Sequence, residues 1–207
     1  VSVVSAVVER IETAVDGGQW QTYTQPLKFA EGRHIIVYRA IDNVGNTEAG
    51  KTISIQSDAT APVSAWLVNS GEHIELGGKF YLNALGKLAL ESSDPVVGNV
   101  ASGVEGIYYG IDGAPSAKYA APFGFAEGIR TLNFNARDNV ANTEAVKSTA
   151  IYVDGTKPIS ELSISGDQYH GDKVYVSLRS DILLAAVDPV VSEVASGLRE
   201  TRYSVDG

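Results

Sequence analysis

Apolar and polar residues alternate with period two over much of the chain, and no segment sustains the three-to-four spacing of an amphipathic helix. From Thr131 to Arg137 the even positions Leu132, Phe134 and Ala136 are apolar and the odd positions polar. The stretch His34 to Ile41 keeps Ile36, Tyr38 and Ala40 on the corresponding face, while Ile35, Val37, Arg39 and Ile41 vary freely on the other. A constant apolar face opposite a variable one predicts a half-buried strand. A one-residue slip would turn that face to water, so its register is pinned. The same comparison sets Ile107, Tyr109 and Ile111 beside Ile11, Thr13 and Val15, and beside Thr201, Tyr203 and Val205. Phe80 and Leu82 likewise match Val174 and Val176.

These comparisons are possible because the chain repeats itself. Phe29-Ala30-Glu31-Gly32 recurs ninety-six residues on as Phe125-Ala126-Glu127-Gly128. At the same spacing Asp42-Asn43-Val44-Gly45-Asn46 returns as Asp138-Asn139-Val140-Ala141-Asn142, and Asp58-Ala59-Thr60-Ala61-Pro62 as Asp154-Gly155-Thr156-Lys157-Pro158. A third copy then opens at a spacing of 94: Asp94-Pro95-Val96-Val97 returns as Asp188-Pro189-Val190-Val191, and Val100-Ala101-Ser102-Gly103 as Val194-Ala195-Ser196-Gly197. Two residues are lost between Leu67 and Lys79, a change that a surface turn tolerates.

The Thr-x-Pro pairs at 60–62 and 156–158 read as joints, since proline ends a strand ladder and stiffens a connection. On that phase residues 62–157 are one complete unit. Residues 1–61 are the C-terminal part of a first repeat, and 158–207 the N-terminal part of a third. Within the complete unit strands are predicted near 64–69, 73–76, 79–83, 87–92, 104–111, 129–137 and 146–153. Gly77-Gly78, Gly86, Asp112-Gly113 and Asp138-Asn139 mark turns between them. About seven short strands in roughly a hundred residues is the pattern of an immunoglobulin-like sandwich. The fold class expected is all-β: tandem immunoglobulin-like β-sandwich repeats of about 96 residues in an elongated array.

The succession Ser102-Gly103-Val104, Tyr109-Gly110-Ile111-Asp112-Gly113, Tyr119, Pro122, Glu127-Gly128, Ala136-Arg137-Asp138-Asn139-Val140-Ala141-Asn142 and Val153-Asp154-Gly155-Thr156-Lys157-Pro158 resembles bacterial immunoglobulin-like repeats. The first copy resembles them too, through Val15-Asp16-Gly17-Gly18-Gln19-Trp20 and Ala40-Ile41-Asp42-Asn43-Val44-Gly45-Asn46. The resemblance covers essentially the whole chain and implies modules of surface adhesins, surface-layer proteins and secreted polysaccharide hydrolases. Ala141 departs from it where Gly45 stands in the first copy. Glycine suits a left-handed turn, so the turn is expected to differ between copies.

Composition narrows the partners. A net charge of −9 over 207 residues argues against nucleic acid, which needs clustered Lys and Arg, and against anionic membrane surfaces. It leaves divalent cations open. No run of eighteen apolar residues predicts membrane insertion in this segment. Cys and Met are both absent, which removes disulfides and thiolate chemistry and fits an exposed, oxidising setting.

Four aspartates are candidate metal ligands. Asp42 and Asp138 end strands and precede side-chain amides, and Asp58 and Asp154 precede the proline joints. Their oxygens can contribute to a Ca²⁺ site, or they can cap turns and joints by accepting backbone N–H bonds. Asp94 and Asp188 are acidic neighbours that would strengthen the metal reading if folding brought them close. Trp20 and Trp66 are candidate ligand residues for a sugar-stacking surface, with Tyr23, Tyr108 and Tyr119 as further aromatics. Tyr23 and Tyr119 recur beside Pro26 and Pro122 and read more simply as packing. His34, His73 and His170 lack metal-ligand spacing, and no Ser, His and acid set suggests catalysis.

The expectation is a non-catalytic structural or adhesive repeat segment of an extracellular or cell-surface fibre, stalk or surface-layer protein. It would require no cofactor, with Ca²⁺ as the candidate ion. Its partners would be neighbouring repeats, of the same or of identical chains assembling head to tail, and surface glycans. The alternative is an accessory carbohydrate-binding or spacer module of a secreted polysaccharide-degrading enzyme.

Overall fold

A computed structural model describes residues 7–205, and among them every regular element is a strand. Along the first stretch these are β1 (Val8–Val15), β2 (Gln21–Thr22), β3 (Gly32–Asp42) and β4 (Lys51–Ser57). There follow β5 (Val63–Ser70), β6 (His73–Leu76), β7 (Lys79–Asn83), β8 (Lys87–Ser93), β9 (Val104–Ile111), β10 (Ala117–Lys118), β11 (Gly128–Asp138) and β12 (Lys147–Asp154). The last are β13 (Ile159–Ser165), β14 (Gln168–His170), β15 (Val174–Val176) and β16 (Asp181–Val187). The strands expected between 64 and 153 are all present to within two residues at each end. Only the two-residue β10 lacks an alternating pattern by which to see it.

The first four strands form one sheet in the order β2-β1-β3-β4. A six-stranded sheet runs β10-β9-β11-β12-β7-β6, and β5 pairs with β8 in a separate small sheet. All of the described pairings in these sheets are antiparallel except β12 with β7, which run parallel with Ile151 opposite Phe80 and Val153 opposite Leu82. That pairing has no turn to set it up, since the two strands lie about seventy residues apart in the chain.

The chain divides into two compact units. One comprises 1–64, 92–107 and 135–145, and the other 65–91, 108–134 and 146–207. In the second unit the small β5–β8 sheet buries Leu88 and Leu90, while the large sheet buries Leu82, Leu132, Phe134, Ile151 and Val153. Two sheets each presenting a sealed row make a two-layer sandwich, with the alternation inferred for Thr131 to Arg137 facing inward. In the first unit the sealed positions are Ala14, Ile41, Val100, Ile107, Ala136 and Pro62, together with the polar Ser64 and Asp138.

The C-terminal stretch differs from the expectation at one place. Thr201, Tyr203 and Val205 continue the strand alternation, yet 198–204 carries no strand. Its counterpart β9 is laddered on β11, whereas no strand among the described residues pairs with 198–204. A lone strand with unpaired N–H and C=O groups does not hold its shape.

Candidate functional site

The aspartates that recur between copies all accept backbone N–H bonds. Asp42 takes the N–H of Val44 at 3.0 Å, the N–H of Asn46 at 2.8 Å and the Asn46 side-chain amide at 2.8 Å. Asp138 accepts the same three from Val140 at 2.9 Å, Asn142 at 2.8 Å and the Asn142 amide at 2.7 Å. The Asn46 amide, followed by its backbone N–H, holds the Asp42 carboxyl below the usual aspartate value. Gly45 and Ala141 both adopt positive φ, 86° and 74°. The expectation that Ala141 alters the turn is therefore not met. The aspartate network imposes the left-handed conformation on a residue that has a Cβ.

Burial separates the two turns. Asp138 is only 1% exposed, whereas Asp42 is half-buried.

The joint aspartates act in the same way over a longer range. Asp58 accepts the N–H of Thr60 at 3.1 Å and reaches forward to the N–H of Ser102 at 2.6 Å. Asp154 accepts Thr156 at 3.2 Å and Ser196 at 2.7 Å. Each forward loop is met by a second carboxylate on the next residue: Asp94 takes Gly103 N–H, and Asp188 takes Gly197 N–H, both at 2.7 Å. The glutamates of the Phe-Ala-Glu-Gly motif seat the joint threonines, Glu31 with Thr60 and Glu127 with Thr156, at 2.6 Å in both cases. Gly32 at positive φ lies against Gly98, and Gly128 against Ser192, so the same close backbone approach is made twice.

At the first joint a third carboxylate arrives. Asp58, Asp94 and Asp138 bring one oxygen each to within 4.8 Å of one another. The Asn142 amide ties the pieces together by also donating to the Asp58 carbonyl at 3.0 Å. Ser102 holds the Asp58 carboxyl below its usual value, its hydroxyl standing close without strict hydrogen-bond geometry and its N–H bonding squarely. None of the three aspartates forms an ion pair with Lys or Arg among the described residues. Two unit charges 4.8 Å apart repel by about 3 kcal/mol at an effective dielectric near 20. Asp94 Oδ1 is moreover buried with no hydrogen-bond partner. An orphaned carboxylate oxygen beside two more carboxylates is an all-oxygen, hard-ligand set, which suits Ca²⁺ rather than a transition metal.

The structure thus brings Asp58 and Asp138 together with Asp94, which the sequence marks only as an acidic neighbour. Asp42 stands in its own turn. Asp154 and Asp188 repeat the Asp58 and Asp94 arrangement, without a third carboxylate beside them among the described residues.

The aromatic candidates are engaged locally. Trp20 is 38% exposed with the Arg39 guanidinium 4.1 Å from its ring centroid. Trp66 is half-buried and packs edge-on to Phe80 at 5.0 Å. Tyr119 meets Tyr109 and Phe123 edge-on, while Tyr23 is 41% exposed.

His34 and Arg130, ninety-six residues apart, fill one role. His34 bonds Asp16 at 2.8 Å and the Ala30 carbonyl at 3.0 Å, and Arg130 bonds Asp112 and the Ala126 carbonyl at 3.1 Å each. Both His34 partners are acceptors, and the Asp16 bond foremost raises the imidazole above its ordinary value.

No family model matches the chain, and no curated protein matches it. Among solved structures it is similar to fibronectin(III)-like modules of Clostridium thermocellum CbhA, at 13% identity and a TM-score of 0.38, over 74% of this chain and 83% of that one.

Proposed function

We propose that the chain is a non-catalytic structural or adhesive segment of an extracellular or cell-surface fibre, stalk or surface-layer protein. It is made of immunoglobulin-like repeats of about 96 residues with boundaries at 61/62 and 157/158, set end to end. One observation carries this reading: the aspartates that recur between copies hold backbone, and four of them hold the joints. Asp58 with Asp94, and Asp154 with Asp188, grip consecutive N–H groups of the loop beyond each joint. Each compact unit also straddles one of these joints, as a clamped connection requires and a loose tether does not. Clamped joints suit a part that transmits force or sets a spacing.

Calcium fits the first joint. Asp58, Asp94 and Asp138 would hold it, and it would neutralise three adjacent negative charges and satisfy the Asp94 oxygen that lacks a partner. Small-angle scattering of the dilute chain tests the reading. A stiff, elongated particle is expected, more flexible when Asp58 and Asp154 are both replaced by alanine. A compact globule of unchanged dimensions in the variant would sink it. Calorimetric titration with CaCl₂ tests the cation separately, with binding expected for the native chain and lost in Asp94→Asn.

A further inference from the structure

The second compact unit holds a pocket of about 880 Å³ beside the joint at 154–158. That volume is in the range that ordinarily accepts a small ligand, about 300–1,000 Å³. One side is the β6–β7 hairpin, with Ile74, Tyr81 and Asn83. A second is the joint itself, with Asp154 and Lys157, and a third is the loop 196–199, with Arg199. Hydrogen bonds fix all three. The Asn83 N–H donates to the Glu72 carbonyl at 3.0 Å, and the Ala84 N–H to the Asp154 carbonyl at 3.2 Å. The Asp154 carboxylate takes the Ser196 N–H at 2.7 Å, which seats the loop against the joint. The walls are set before any ligand arrives, so little ordering opposes binding.

The lining mixes an aromatic surface with balanced charge. Tyr81 stands on the solvent side of β7, with its ring 5.3 Å from that of Tyr152 and with Ile74, 50% exposed, opposite it in register. The copies keep a tyrosine at this position, Tyr81 and Tyr175, while the flanking Phe80 and Leu82 become Val174 and Val176. Core packing does not require it, since neither ring is sealed. Lys157, Arg199 and Glu72 form no ion pair among the described residues. Two cations that only donate therefore stand with two carboxylates that only accept, Glu72 and Asp154, and the four charges cancel. Asn83 adds an Oδ1 that is buried without a hydrogen-bond partner.

We propose that this pocket takes a neutral pyranose unit of a glycan. A pyranose presents C–H bonds to the electron-rich face of a tyrosine ring, and each of its hydroxyls both donates and accepts. It therefore answers ammonium, guanidinium, carboxylate and amide oxygen together. A lining balanced in charge gives no net attraction to a polyanion, and a hydrocarbon ligand would leave its charged groups unpaired. The inference deepens the adhesive side of the reading above, on which it rests, and assigns that side residues other than Trp20 and Trp66.

Two-dimensional ¹H–¹⁵N NMR of the full chain tests this with hexasaccharides of glucose, xylose, mannose and galactose. Hexagalacturonate and a glutamate-rich peptide serve as charged alternatives. At least one neutral hexasaccharide is expected to shift the resonances of 72–85, 154–158 and 196–199. It should bind about tenfold more weakly to Tyr81→Ala and about fivefold more weakly to Lys157→Ala. Lys157 is exposed, so its variant keeps the test open should Tyr81→Ala fail to fold. No shift with any neutral hexasaccharide at millimolar concentration, shifts confined to other segments, or unchanged affinity in Lys157→Ala overturns the proposal. Preferential binding of either charged probe overturns it as well. An elongated particle in scattering that binds none of these sugars removes the pocket reading alone and leaves the repeat reading standing.

Discussion

Replacing Asp138 or Asp42 by alanine removes the same three hydrogen bonds from the same turn, ninety-six residues apart, so the pair isolates what burial does to a turn network. At Asp138 the carboxylate is 1% exposed, and its loss frees the part-buried N–H and side-chain amide of Asn142 together with the N–H of Val140, a residue 55% exposed. A buried donor left without a partner costs about 1–3 kcal/mol, so the two Asn142 donors, with the Val140 N–H turning to water, should destabilise by about 2–4 kcal/mol. At the half-buried Asp42 the freed donors turn to water, and the loss falls toward the net worth of the exchanged bonds, about 1–2 kcal/mol in all. The gap is about 1–2 kcal/mol, a factor of about five to thirty in the unfolding constant. Both residues belong to the first compact unit, and so does Trp20. Urea unfolding followed by Trp20 fluorescence in a Trp66→Phe background therefore reads both variants with one probe, free of the second unit's transition. Equal losses for the two variants, or a larger one at Asp42, would refute the argument that burial sets the worth of this network.

Ala141→Gly should stabilise by about 0.5–1 kcal/mol. It relieves a left-handed strain worth about 1–2 kcal/mol in exchange for glycine's extra unfolded-state entropy, and Gly45→Ala should lose a similar amount, both read as urea midpoints. His34 has a raised folded value against 6.5 for the free side chain. Its contribution is complete below pH 6.5 and fades as pH rises through the folded value, and His34→Arg should abolish that decline because Arg130 makes the same contacts permanently charged. An NMR titration of His34 that falls at or below 6.5 would contradict this. Asp16, Asp42, Asp58 and Asp112 are all held below the ordinary 3.8, so their contributions are complete above about that pH and vanish as pH falls through the folded values. Urea midpoints should accordingly hold level from pH 6 to 5 and drop below 4. A drop already complete by pH 5 would point to other groups.

What the amino-acid sequence by itself determined here is local and periodic. Strand positions from β5 to β12, the two-residue β10 excepted, follow from alternation and turn residues, because a pleated backbone presents side chains to opposite faces whatever lies beyond them. The recurrence of Asp42 and Asp138, of Glu31 and Glu127, and of Asp58 and Asp154 also marked the residues that bond, since each acts on its own turn or joint. The tertiary structure decided what those faces and carboxylates meet. Identical alternation leaves Leu90 sealed and Leu184 exposed, because burial depends on what a face packs against and the alternation does not encode that. Thr201 to Val205 has the pattern of a strand and no strand, since a ladder needs a partner. The parallel β12–β7 pairing joins segments with no turn between them to announce it. Asp94, which reads in the sequence as an acid before a proline, becomes the third member of a charged cluster only because the loop ending at Gly103 is folded back to Asp58 and Asp138. Proximity between residues forty or eighty positions apart is a property of the closed fold, and the chemistry of the joint resides in that proximity.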